Sequence, residues 1–306
     1  MKDETRGLWL GLLGVVLFAA TLPMTKLATG SAQAPQLSPV FVTFGRAGVA
    51  GLLSLVYLAL TQGPRPRGRR QWGALAFTAV CVVVGFPLFL ALGLRHVESV
   101  HAAVVIGILP LATAVVGSLW LRQRPSTGFW LCAFAGSALV AAFVVLRNNA
   151  TDSNAQWADL LLVLAVLSAA FGYVGGGRLT LQLGAERVIC WVLVISLPVT
   201  LPVLLLNTPS QPIPAGAWIG FAYVSLISMW IGFFAWYRGL ALGGTVRVSQ
   251  VQLVQPFFSM VFSMPLLGES IDAMTLGFAL AVIATVFIGR RMPVRSTASK
   301  ISRTIS

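Results

Sequence analysis

The stretch GLRHVESVHAAVVIGILPLATAVVGSLWL, residues 93–121, decides the fold, because residues 239–267 repeat its layout as GLALGGTVRVSQVQLVQPFFSMVFSMPLL. Aligned without a gap at an offset of 146, the copies share Gly93/Gly239, Leu94/Leu240, Val100/Val246, Val105/Val251, Pro110/Pro256, Val115/Val261 and Leu121/Leu267. Seven identities in 29 positions carry little weight in apolar sequence. The layout carries more. Each copy opens on Gly-Leu, holds a central proline, and is the fourth apolar segment of a block of five. Self-similarity of this kind bounds the architecture before any local assignment does.

Outward from these copies, the chain reads as ten apolar segments: 7–26, 38–60, 72–93, 99–121, 127–146, 157–178, 186–206, 216–238, 246–267 and 272–290. A helix needs about 20 mainly apolar residues to cross a bilayer, and each segment is of that order. Composition agrees. The 306 residues are 57% hydrophobic and 9% charged, against roughly 25% charged in a soluble domain. The runs are too long and continuous for the alternating strands of a β-barrel, and the connections too short to hide a soluble domain. The expected fold is therefore an all-α integral membrane protein of ten transmembrane helices. The first segment is expected to be retained, since it is long for a signal peptide and lacks a clear small-residue cleavage site.

The net charge of +13 follows topology, not nucleic acid. With the N-terminus cytoplasmic, seventeen of the 21 Lys and Arg residues fall on the inner side. Lys26, Arg95 and Arg147 fall outside, and Arg46 lies within a segment. Short loops obey the positive-inside rule, so both termini are placed in the cytoplasm and the protein in the cell's inner membrane. The expected units are 1–146, 147–292 and a basic tail, 293–306. A block of five segments is odd, so the second block enters the membrane from the opposite side. The two five-helix repeats are thus inverted, an arrangement common in secondary transporters.

At these residues the sequence resembles the EamA branch of the drug/metabolite transporter superfamily. The resemblance rests on Ala91-Leu92-Gly93-Leu94 leading to Pro110 and Leu119-Trp120-Leu121, on Arg238-Gly239-Leu240-Ala241 leading to Pro256 and Leu266-Leu267-Gly268-Glu269, and on Arg46. The family's Gly-Glu pair stands at Gly268-Glu269 but is replaced by Arg122-Gln123 after the fourth segment. The resemblance implies ten helices, inner termini, and a central cavity lined by the first, third, fourth, sixth, eighth and ninth segments. It also implies export of amino acids, related metabolites or toxic compounds, or uptake of solutes.

Ser249, Gln252, Pro256, Ser259 and Ser263 share one face of the ninth segment, with Gln255 at its border. Such a face is costly in lipid and is expected to point inward. Pro256 leaves a backbone carbonyl free on the preceding turn. Two readings stay open, a solute site or interhelical hydrogen bonding. Pro110 with Gly107 is the matching element, read as a kink compatible with gating. Arg46 is the one formal charge well inside a segment, read as a carboxylate-binding group or as a cation that caps carbonyls and ties helices. Trp230 and Tyr173 are candidate cavity walls or packing residues. His101 with Glu98 is a candidate proton-sensitive pair or a loop-edge cluster. Trp9, Trp72, Trp120, Trp157, Trp218 and Trp236 read as an interfacial belt, and Gly175-Gly176-Gly177 as close packing or a hinge. No acidic residue is placed at mid-depth, which disfavours carboxylate-based proton coupling.

The expected function is a secondary transporter, in the export direction, of small metabolites such as amino acids by alternating access. A channel-like or facilitated-diffusion permease is the alternative. An intramembrane enzyme is the remote one, because two histidines and eight acidic residues offer no di-metal or deep acid–base set. No phosphate loop is present. No cofactor is expected. The expected partners are a small-molecule substrate and membrane lipids, with monomer and homodimer both open.

Overall fold

The computed structural model describes residues 2–120, 124–147, 153–243, 250–291 and 294–295. Seven helical stretches among them are long and apolar enough to cross a membrane: Thr5–Thr29, Pro39–Leu60, Gly68–Gly93, Ser99–Trp120, Gln156–Thr180, Ala185–Leu206 and Ala215–Gly239. These are the first to fourth and sixth to eighth segments. The fifth is the helix Thr127–Arg147. The ninth and tenth supply shorter apolar helices, Gln255–Leu267 and Ala273–Thr285. The protein is an all-helical membrane protein with an internal repeat. One two-residue antiparallel pairing joins Arg124–Pro125 to Val294–Arg295. The tail thus begins tied to the loop after the fourth segment, a feature that composition did not suggest. Residues 296–306 lie outside the described residues.

Local chemistry explains the helix ends and breaks. Ser38 caps the second segment by accepting from the Phe41 N–H at 3.0 Å, with Pro39 in the first turn, where a missing N–H costs nothing. Among the described residues, five segments depart from regular α-helix. The first breaks at Ala20 and the fourth at Gly107–Ile108; the third holds a π-turn at Val80–Gly85, the eighth one at Tyr223–Ile231, and the ninth starts with a 3-10 turn at Gln250–Val254. The offset of 146 carries the third segment's π-turn into that of the eighth, and the break of the fourth onto the end of the ninth's 3-10 turn. Pro110 and Pro256 are each the second residue of the helix that restarts there, Leu109–Trp120 and Gln255–Leu267. Broken helices at corresponding positions of two halves are the usual surroundings of a transport site.

The strongest packing crosses between the halves. The first segment packs on the eighth, the third on the sixth, the second on the seventh and the fifth on the tenth, while the fourth packs on the sixth and the ninth on the first. Exchanging the halves maps each pair onto another pair or onto itself. The repeated Gly-Leu motif makes two of these contacts possible. A Cβ on Gly239 would lie 2.7 Å from the Gly11 nitrogen, and one on Gly93 would lie 3.2 Å from the Ala158 carbonyl oxygen.

One expectation is corrected. Trp236 is 1% exposed, so it is a core residue and not part of an interfacial belt. Its ring packs near Phe18 and Tyr173, because the eighth segment is buried against the first at that depth. The helix Ser153–Leu183 runs unbroken through Gly175-Gly176-Gly177. Gly176 makes room for the Tyr237 hydroxyl and Gly175 for Thr78, whereas a Cβ on Gly177 would meet nothing within 4 Å.

Candidate functional site

Two contiguous cavities lie between the halves. The smaller is lined by Ala103, Ile106, Gly107, Pro110, Gln252, Gln255, Pro256 and Ser259 among others. The larger brings Arg46, Tyr173 and Ser228 against Phe18, Val82, Phe86, Met229 and Phe233. Leu22, Leu109 and Gln255 line both, so the two adjoin. The lining comes from the first, third, fourth, sixth, eighth and ninth segments, with Arg46 added from the second.

The polar stripe of the ninth segment faces inward. Gln252, Ser259 and Ser263 are buried, whereas Val254, Val261 and Met264 on the other faces are exposed. Ser249 lies outside the described residues. Ser259 Oγ donates to the Ala19 carbonyl at 2.9 Å, satisfying a group left over where the first segment breaks, and Ser263 Oγ donates to the Ser259 carbonyl at 2.8 Å. Gln252 Nε2 is buried with no hydrogen-bond partner. Pro110 has no N–H for the Ile106 carbonyl and Pro256 none for that of Gln252. Donor and acceptor capacity thus converge on the smaller cavity. The two breaks also touch. A Cβ on Gly107 would lie 3.2 Å from Pro256 Cγ.

Arg46 is buried at 2% exposure. Its Nη2 donates to Ser228 Oγ at 2.9 Å, and that oxygen lies 2.8 Å from Thr21 Oγ1. Arg46 Nε has no partner, and no carboxylate among the described residues forms an ion pair with Arg46. A buried cation without a counter-ion is costly, and here it borders a cavity.

Trp230 and His101 stand elsewhere. Trp230 packs tilted against Phe234, with ring centroids 5.2 Å apart, and lines neither cavity. His101 Nε2 lies 2.6 Å from Asp159 Oδ1, both residues buried. The structure therefore pairs His101 with the sixth segment and not, as its sequence neighbourhood suggested, with Glu98. A buried carboxylate does exist in the fold, close to the N-terminal end of its helix, Ser153–Leu183. Thr21, Ser228 and Asp159 carry no motif. Their roles arise from segments up to 207 residues apart.

Beside this pair lies a clamp on the loop between the third and fourth segments. Lys26 Nζ donates to the Leu94 and Val97 carbonyls, each at 2.6 Å. Glu269 accepts from the Ser99 N–H at 2.8 Å and the Val100 N–H at 2.9 Å, satisfying donors that a helix start leaves over. Gly268 makes this possible. Its φ of 68° ends the ninth segment in a left-handed turn, a conformation glycine tolerates, and the turn delivers Glu269 to the fourth segment. Arg122-Gln123, at the corresponding place in the other half, lies outside the described residues.

Burial pushes the Glu269 carboxyl above the usual carboxylate range, although the two N–H groups and Lys26 pull it the other way. A raised folded-state value means the folded protein binds this proton more tightly than the unfolded chain. Stability from this group is therefore present at low pH and lost as pH rises from 4.5 upward through the folded value. Thermal unfolding between pH 4 and 7 should show that downward slope, and Glu269→Gln should flatten it. An unchanged slope in the variant would mean that another group is responsible.

The model of the EamA-like transporter family matches residues 5–147 and again residues 156–290. The uncharacterized transporter YdeK of Bacillus subtilis (strain 168) is 40% identical over 293 residues, covering 95% of this chain and 99% of its own. The uncharacterized inner membrane transporter YedA of Escherichia coli (strain K12) is 22% identical over 79% of each chain. A solved crystal structure only 14% identical superposes with a TM-score of 0.63 over 99% of both chains, a likeness of fold alone.

Proposed function

Because this chain belongs to the EamA-like transporter family, we propose that it exports a small metabolite bearing a carboxylate, an amino acid in the first instance, by alternating access through the cavity between its halves. In this reading ten helices span the cell's inner membrane as two inverted repeats, 1–146 and 147–292, with both termini cytoplasmic. The inner-membrane relative and the seventeen-to-three split of basic residues support that placement.

The observation that carries the reading is the surroundings of Arg46. A guanidinium buried at 2% exposure lines a cavity with no counter-ion among the described residues. A solute carboxylate would supply the missing charge. The apolar walls Phe18, Phe86, Met229 and Phe233 would hold a hydrophobic body, and Gln252 with Gln255 would reach further polar groups. The broken helices that meet at Gly107 and Pro256 suit a site that must open to each side in turn, since a break lets half a helix move without the other half.

Proteoliposomes loaded with an unlabelled amino-acid panel should accumulate labelled solute by counterflow, with saturating rates. Counterflow requires one site alternately exposed to the two sides. Flux that never saturates and shows no counterflow would favour the channel-like alternative. No flux from folded protein across a broad panel would sink the transport reading.

A further inference from the structure

A guanidinium presents its donors in fixed forks, and the edge formed by Nε–H and an Nη2 N–H matches the two oxygens of a carboxylate. In Arg46 that edge is half filled. Nη2 donates to Ser228 Oγ at 2.9 Å, while Nε is buried without a partner. Ser228 is in turn held by Thr21, oxygen to oxygen, at 2.8 Å. Both hydroxyls sit at irregular points of the backbone. Thr21 is the first residue after the break at Ala20, and Ser228 lies within the π-turn Tyr223–Ile231, a rare geometry that is frequent at functional sites. Arg46 and Thr21 belong to the first half and Ser228 to the second, so this relay ties the halves together beside the cavity.

The geometry points to Ser228 as a displaceable partner. It competes with the solute's carboxylate for the Nε/Nη2 edge of Arg46, and its displacement releases the Thr21–Ser228–Arg46 tie between the halves. The inference rests on the transport reading above and adds which residue sets affinity and which bond the solute breaks. A carboxylate fills both donors with charge-assisted bonds, each roughly twice as strong as a neutral one. A hydroxyl fills one. A carboxamide offers a single acceptor and turns its own N–H toward the second donor, so it does not displace Ser228. A ligand shifts a conformational equilibrium only through contacts that differ between the conformers, and this tie is such a contact. Ser228 is thus a positioning and specificity-determining residue.

The test uses the full-length protein in lipid nanodiscs, with L-leucine and benzoate as probes against leucinamide and benzamide. Thermal stabilisation gives the binding constants. Both carboxylates should stabilise the wild type and the amides should not. Ser228→Ala should bind the carboxylates about 10-fold more tightly, the worth of one lost competing hydrogen bond to a charged group. Ser228→Thr should restore wild-type affinity, and Arg46→Gln should abolish stabilisation. In counterflow of L-leucine, Ser228→Ala should lower both KM and the maximal rate, a split that a merely structural role would not produce. Thr21→Val, which loosens Ser228 without touching Arg46, should also tighten carboxylate binding and serves if Ser228→Ala fails to fold. Unchanged or weaker carboxylate binding in Ser228→Ala and Thr21→Val overturns the inference, as does equal stabilisation of the wild type by the amides or none by the carboxylates. Ser228-dependent carboxylate binding with no counterflow would sink the transport reading and leave this inference standing.

Discussion

Replacing Arg46 by glutamine is expected to lower counterflow about 100-fold, in line with the loss of charge-assisted bonds to a bound anion, while leaving the protein as stable as before or more so. The second half is the sharper claim. Arg46 is buried at 2% exposure, holds one hydrogen bond to a serine, and has no carboxylate partner among the described residues. A structural cation earns its burial through partners, and removing it unfolds the protein. A cation kept for a ligand costs stability, so removing it relieves that cost. Glutamine keeps a donor for Ser228 and sheds the charge. Counterflow and thermal unfolding on the same preparation separate the cases. A fall in melting temperature parallel to the fall in transport would show that Arg46 ties helices and does not bind solute. Arg46→Lys should recover part of the transport, because it restores the charge but not the fork.

A large effect on folding is expected at Gly239. A Cβ there would lie 2.7 Å from the Gly11 nitrogen, 3.0 Å from the Gly11 Cα and 3.0 Å from the Gly7 carbonyl oxygen. All three are backbone atoms of the first segment, so no side chain can swing aside. Gly239→Val should therefore force the first and eighth segments apart and cost about 3 kcal/mol or more. Both segments line the cavity through Phe18, Ser228 and Phe233, so transport should fail with the fold. Expression and thermal unfolding in lipid check this. Gly277→Val is the control. A Cβ at Gly277 would meet nothing within 4 Å, and this variant should fold normally. Equal stability of the two variants would refute the close-approach account of the repeated Gly-Leu motif.

Much of the architecture was legible because it rests on one-dimensional quantities. Apolar runs of helical length, the basic asymmetry and the 146-residue offset each survive without knowledge of neighbours. The inward face of Gln252, Ser259 and Ser263 was legible for the same reason, since a helix in lipid must hide its polar stripe. Pro110 and Pro256 were legible as points of departure from a regular helix because a missing N–H is a local fact. The Gly-Glu motif was visible, but what it does was not, since the helix that Glu269 caps begins 170 residues earlier in the chain.

What the amino-acid sequence determined alone is a membrane-embedded, all-helical chain with an internal repeat, its polar ninth-segment face and the irregular points at Pro110 and Pro256. What only the tertiary structure decided is which groups meet: Arg46 with Ser228 and Thr21, His101 with Asp159 in place of Glu98, Glu269 with the start of the fourth segment, and Trp236 in the core instead of at the interface. The physical reason is common to all four. Helix formation and membrane insertion depend on the residues within one segment. A hydrogen bond between segments depends on rotation and depth about two axes, and here the close packing at glycines such as Gly239 and the π-turn around Ser228 set both.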